Sequence, residues 1–136
     1  MSRTSSGARR VLGSMRDGRA LVAAGAVLGG VAIMLGAFGV HALKSRLGPE
    51  ELGWWQTGVQ YQMWHALIVT AIGLSGSRWA RLPAWMFTAG ALVFAGTLYA
   101  MALGGPRWLG AITPIGGLSL IAGWVLLAWR ALAHRD

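Results

Sequence analysis

The sequence predicts an all-α protein: an integral membrane bundle of four transmembrane helices with its N- and C-termini cytoplasmic. Three observations carry this. Of the 136 residues, 55% are hydrophobic and 12% charged, against the ~25% charged residues usual in soluble domains. A soluble core that large would have almost nothing to cover it. Four apolar stretches, about 20–43, 55–75, 84–104 and 109–129, approach the ~20 residues a helix needs to cross the hydrocarbon core. Finally, the basic residues gather at the ends of these stretches and are unequally shared between the two sides.

Residues 1–19 hold five arginines against one aspartate among small polar residues, and read as a disordered basic cytoplasmic tail. Arg9-Arg10 has a twin-arginine look, and Val40-His41-Ala42 has the small residues of a signal-peptidase site. The apolar stretch from Ala20 to Leu43 nevertheless exceeds the ~7–15 residues of a cleavable signal core, so it reads as a retained first span. Gly25, Gly29, Ala32, Gly36 and Gly39 recur at steps of four, three, four and three. That places small residues on one helical face, the arrangement that lets helix backbones approach closely in lipid.

Lys44 to Gly53 is a connection in which Gly48-Pro49-Glu50-Glu51 resembles a helix start. Proline suits the first turn, and acids there complement the helix dipole. Trp54 and Trp55 open the second span as interfacial aromatics. Ser75 to Arg81 connects to the third span, with Pro83 near its start, and Gly104-Gly105-Pro106-Arg107 turns into the fourth, whose far interface is marked by Trp129 and Arg130. Residues 131–136 form a second cytoplasmic tail.

With the N-terminus inside, the tail contributes five basic residues, the 75–83 connection two and the C-terminus two. Lys44, Arg46 and Arg107 lie outside. Nine against three favours cytoplasmic termini. The net charge of +8 sits at span ends, not along one face, so anionic lipid and not nucleic acid is its expected counterpart. With no cysteine, disulfides, thiol catalysis and thiolate metal sites are ruled out.

This topology places an uneven distribution of polar side chains. His41 falls at the outer end of span one, and Gln56, Thr57, Gln60, Tyr61, Gln62 and His65 fall in the outer half of span two. Tyr99 and Thr97 fall in the outer half of span three, and Thr113 with Pro114 opens span four. The inner halves are almost wholly apolar. Unsatisfied polar groups cost several kcal/mol each in lipid, so this outer-leaflet cluster is the candidate functional surface. Two accounts compete for it: a pocket binding a polar molecule through neutral donors and acceptors, and interhelical hydrogen bonds worth ~0.6–2 kcal/mol each. His65, ionisable within a span, is the member with the strongest claim to function.

Geometry argues against bis-histidine haem ligation within one chain and leaves open a single ligand or a site between subunits. A hairpin turning near Gly48 sets His41 opposite Gln56 and His65 opposite Ala32, a mismatch of about nine residues or ~13 Å. No carboxylate lies within a span, so no metal site is expected. No catalytic triad, zinc-protease or phosphate-loop pattern occurs. No cofactor is expected, and the enzyme reading ranks third.

Four motifs in order carry a family resemblance: GAFGVHALKSRL at 36–47, WWQTGVQYQMWHALIV at 54–69, FAGTLYAMAL at 94–103 and TPIGGLSLIAGW at 113–124. Over about residues 20–130 the chain resembles the bacterial domain-of-unknown-function family 423, which is similar to transmembrane protein 256 of animals. Val40 stands where the family's GAFGAH pattern more often has Ala. The resemblance implies a four-helix protein of the bacterial inner (plasma) membrane and supplies no activity. All eight candidate residues, His41, Gln56, Thr57, Tyr61, Gln62, His65, Tyr99 and Thr113, fall inside these motifs.

The function expected is non-enzymatic: binding of a small or lipid-soluble ligand, or of a membrane partner, through the outer cluster. The alternative is a small transporter or channel component, oligomeric because four short helices enclose little space. Partners expected are the lipid bilayer, a second copy of the chain or another membrane protein.

Overall fold

The computed structural model describes residues 3–134, which form four long helices and no strand. Helix α1 runs Arg3–Phe38 and widens into a π turn over Gly39–Leu43. Helix α2 is Pro49–Ser75. A short 3-10 turn, Arg78–Ala80, leads into α3, Arg81–Ala102, and α4 is Leu109–Ala133. Three of these, α1 with its π turn, α3 with its 3-10 turn and α4, are long and apolar enough to cross a membrane. Helix α2 is long enough but carries the polar run.

Local sequence accounts for both ends of α2. Pro49 opens α2, with Glu50 and Glu51 in its first turn, where proline loses no needed N–H and carboxylates meet the positive end of the dipole. Gly76 closes it at φ 68°, the left-handed conformation glycine adopts without strain. Pro114 lies inside α4.

The expected disordered tail is corrected for its described part: α1 is helical from Arg3. The reason lies in α3. Arg81 donates to the Asp17 carboxylate at 2.9 Å, and to the Ser14 carbonyl and hydroxyl at 2.6 and 2.8 Å. Arg78 donates to the Arg10 carbonyl at 3.2 Å. These contacts fasten the polar segment to the bundle, so it continues the helix that Leu21, fully buried, anchors. Residues 1–2 lie outside the described residues. At the other end α4 continues to Ala133, beyond the expected limit of 129.

The helices pack as two antiparallel hairpins, α1/α2 and α3/α4, joined through an α2–α3 face. Close approach within each hairpin depends on glycine. A Cβ on Gly25 would lie 2.7 Å from the Thr70 nitrogen and 2.8 Å from the Ala66 oxygen. In the second hairpin a Cβ on Gly90 would lie 3.0 Å from the Gly116 oxygen. The small-residue face predicted for the first span therefore meets α2. One core surrounds Phe87, with Leu21, Val69, Ala84, Ala91 and Leu120. A smaller one surrounds Trp55, with Leu43 and Ala102. The large apolar residues left exposed, such as Ile33, Leu67, Leu92, Leu118 and Val125, cover the outside of the bundle as lipid-facing surface would require.

Candidate functional site

Helix α2 packs on both α1 and α3, so the helix that carries the polar run has a neighbour on each side. Its inward polar groups find partners there. Gln62 is 5% exposed; its amide nitrogen donates to the Leu28 carbonyl of α1 at 2.8 Å, and its oxygen accepts from the Tyr99 hydroxyl of α3 at 2.8 Å. One carboxamide thus ties three helices. Gly58 makes room for the Tyr99 ring, whose nearest carbon would lie 2.7 Å from a Cβ at that position.

His65, 4% exposed, is the second tie. Its Nδ1 lies 2.7 Å from the Tyr61 carbonyl, and its Nε2 lies 3.2 Å from the indole nitrogen of Trp124 on α4. A carbonyl only accepts and an indole N–H only donates. The ring is therefore neutral, with its proton on Nδ1 and its Nε2 lone pair engaged. Phe87 and Trp124 flank it, with ring centroids at 5.4 and 6.1 Å. Neither nitrogen is left to ligate a metal or haem iron. The α1/α2 register strengthens this: Gly39 meets Trp55, and Gly36 meets Val59. His41 accordingly stands level with residue 54, about eleven residues or ~16 Å along the axis from His65.

The other sequence-predicted residues divide between two further places. The Thr97 and Thr113 hydroxyls lie 2.7 Å apart between α3 and α4; one donates to the other, whose own proton goes to a carbonyl of its own helix. Tyr61 packs its ring on Phe94 at 4.7 Å and Trp64 at 5.1 Å. Thr57 is half-buried on α2, while His41, Gln56 and Gln60 are exposed. The eight residues are thus not one cluster but a set of interior ties and an outward-facing remainder.

That remainder borders an open slot. Between the π turn and α2 lies a slot of about 220 Å³, lined by Gly36, Gly39, Trp55, Gln56, Val59 and Gln60. Gly39 brings the Trp55 indole against α1, where Nε1 donates to the Leu35 carbonyl at 2.8 Å. A Cβ on Gly39 would sit 2.7 Å from that ring. The π turn, a helix form often found at functional sites, begins at this glycine. Sequence reasoning placed Trp55 as an interfacial anchor and missed it as a wall of the slot. It also missed Trp124 as the partner of His65. The GAFG pattern held a signal for the first: two glycines three apart at a span end leave room for a large ring on the facing helix.

Long, closely packed apolar helices with satisfied interior polar groups define a small multi-pass α-helical protein of the membrane. The chain belongs to the family described as "Protein of unknown function (DUF423)", whose pattern matches residues 35–117. It is 37% identical over 113 residues to the UPF0382 inner membrane protein YgdD of Escherichia coli K12, covering 79% of this chain and 85% of that one. It is 36% identical over 115 residues to the UPF0382 membrane protein YwdK of Bacillus subtilis 168, covering 81% and 94%. A UPF0382 membrane protein of Haemophilus influenzae is 40% identical over 114 residues, covering 82% and 92%. No solved structure matches the chain. The protein is an integral protein of the cell's inner (plasma) membrane. The matched segment contains the whole slot.

Proposed function

We propose that all four helices cross the membrane with both termini cytoplasmic, and that the protein is a non-enzymatic binder of a lipid-soluble molecule. The binding group is a carbonyl or hydroxyl seated in the slot beside Trp55, Gln56 and Gln60. Support for a fourth span comes from α2 lying antiparallel along α1, from Gly39–Trp55 at one end to Val22–Gly73 at the other. A helix packed along the whole of a spanning helix shares its depth. Support for the orientation comes from Arg19, Arg78, Arg81 and Arg130 at one end of the bundle, with Lys44, Arg46 and Arg107 at the other.

One observation carries the binding reading. The buried polar side chains in the bundle all have hydrogen-bond partners, but Gln56 and Gln60 face outward with no bond to a described side chain or carbonyl. Gln60 lies about one turn deeper than the Trp55 level, where an unpaired carboxamide facing lipid is costly. A ligand offering one donor or acceptor removes that cost. At about 220 Å³ the slot is smaller than the ~300–1,000 Å³ typical of whole ligands. It suits the ring or head of a molecule whose tail stays in the lipid. Transport has less support, since below His65 the interior is filled by Val69, Ile72, Leu21 and Phe87.

Native mass spectrometry of the protein released from its own membrane tests the reading. The wild-type chain retains a lipid-soluble molecule that the Gln56→Leu/Gln60→Leu variant loses. Equal retention by both chains would refute the slot. So would a ligand-free dimer that the double substitution splits, because a second copy would then be covering the carboxamides.

A further inference from the structure

At the opposite end of the α1/α2 hairpin lies a larger groove of about 540 Å³, among whose lining residues are Ser14, Gly18, Arg19, Ala23, Gly73 and Leu74. Its floor is low because the backbones nearly touch: a Cβ on Gly73 would lie 2.7 Å from the Val22 nitrogen, and one on Gly18 3.1 Å from the Gly73 oxygen. The groove runs from a charged head at Ser14 and Arg19 to an apolar foot at Val22, Ala23 and Ala26.

The head is unusual in its charge. Asp17 is the single acid among the described residues at this end, and Arg81 holds it at 2.9 Å. Arg81 is also the donor to the Ser14 hydroxyl, which leaves that hydroxyl's own proton free to be donated. Arg19 has no described acidic partner. It stands two residues before Leu21, which is fully buried, so its guanidinium sits where the helix passes from water into the apolar belt. A planar cation at head-group depth above an apolar channel matches a phosphodiester carrying acyl chains.

We propose that this groove binds one anionic glycerophospholipid, with its phosphate on the Arg19 guanidinium and the Ser14 hydroxyl and an acyl chain along Ala23, Ala26 and Leu74. The arginines gathered at this end select an anionic head group over a zwitterionic one, whose ammonium they repel. This site is separate from the carboxamide slot and stands whether or not that slot binds a ligand.

The test is native mass spectrometry of the full chain ejected from nanodiscs of equal phosphatidylcholine and phosphatidylglycerol with the same acyl chains. The wild-type chain retains phosphatidylglycerol above its bulk share. Arg19→Gln lowers that enrichment about fivefold, the loss expected for one arginine at a membrane surface. Arg16→Gln, which removes the same charge outside the groove, leaves it unchanged. Ala23→Trp, which fills the apolar foot, lowers retention of lipid of either head group. Circular dichroism confirms that each variant keeps its helices. Equal losses from Arg16→Gln and Arg19→Gln would mean diffuse surface attraction and overturn the proposal. So would no preference for phosphatidylglycerol, or retention indifferent to Ala23→Trp.

Discussion

Trp124 of α4 donates its indole N–H to Nε2 of His65 on α2 across 3.2 Å. The bond joins the fourth helix to the centre of the bundle and fixes the tautomer of a histidine whose other nitrogen faces a carbonyl of its own helix. Trp124→Phe keeps a ring against Phe87 but removes the donor. We expect it to destabilise the bundle by ~0.6–2 kcal/mol, the range of interhelical hydrogen bonds in membranes. His65→Leu should cost a similar amount, and the double variant less than the sum, because the two side chains share one interaction. SDS titration in mixed micelles, followed by circular dichroism, measures all three. Strictly additive losses would show that the bond contributes nothing.

The three glutamines of α2 should separate cleanly. Gln62→Leu breaks the link to α1 and leaves the Tyr99 hydroxyl without its partner, a loss of ~1–3 kcal/mol for a buried unsatisfied group. Gln56→Leu and Gln60→Leu remove nothing the fold uses and should leave stability within ~0.5 kcal/mol of wild type. The same micelle titration decides it. A Gln60→Leu variant as unstable as Gln62→Leu would make Gln60 part of the scaffold.

Glycine at the first hairpin contact gives a paired test. Gly25→Val puts its Cβ into the α2 backbone, an overpacking cost of ~1–3 kcal/mol or more. Gly30 has nothing within 4 Å of a Cβ, so Gly30→Val should be tolerated in the same assay. Tolerance of both would mean the helices can slide apart without loss.

Arg81 should govern the first turns of α1. Hydrogen exchange of residues 6–17 should quicken in Arg81→Gln, which loses the bonds to Ser14 and Asp17. Asp17→Asn should have a small effect, since an exposed ion pair alone is worth ~0–1 kcal/mol. Unchanged exchange in Arg81→Gln would leave the helical state of this segment without its cause.

Topology is testable because the chain has no cysteine of its own. Single cysteines at Gly13, Ser77 and His134 should react with an impermeant maleimide only after the cell is opened, and those at Lys44 and Arg107 in intact cells. Labelling of Lys44→Cys and Ser77→Cys from the same side would remove α2 from the set of spans.

The all-α class and the number of helices were legible in the sequence because membrane helices obey few rules: length, apolarity and charge at the ends. The α1 glycine face was legible for the same reason, since Gly25, Gly36 and Gly39 all press on α2. The site was legible only as a list. Depth grouped Gln56, Gln60, Gln62 and His65 together, but rotation about the α2 axis separates them, two inward and two outward. The partners that decide this, the Leu28 carbonyl and the Trp124 indole, are 34 and 59 residues away. No local pattern announces them. The helical state of the segment after Arg3 was hidden similarly, in contacts from Arg78 and Arg81 on another helix.

The central place of α2 bears on how the protein is made. The Gln62 carboxamide and Nε2 of His65 are satisfied only by α1, α3 and α4, and α3 and α4 leave the ribosome after α2 does. Released into the bilayer alone, α2 would expose the Gln62 carboxamide and Nε2 of His65 among acyl chains. With α2 as the proposed fourth span, entry as a hairpin with α1 would let the glycine contacts close as it leaves the insertion machinery. It then remains a half-finished two-helix intermediate until Tyr99 and Trp124 arrive. Truncation between α2 and α3 should therefore produce a species that quality-control proteases recognise, whereas the finished four-helix protein shows them no polar surface in the same place.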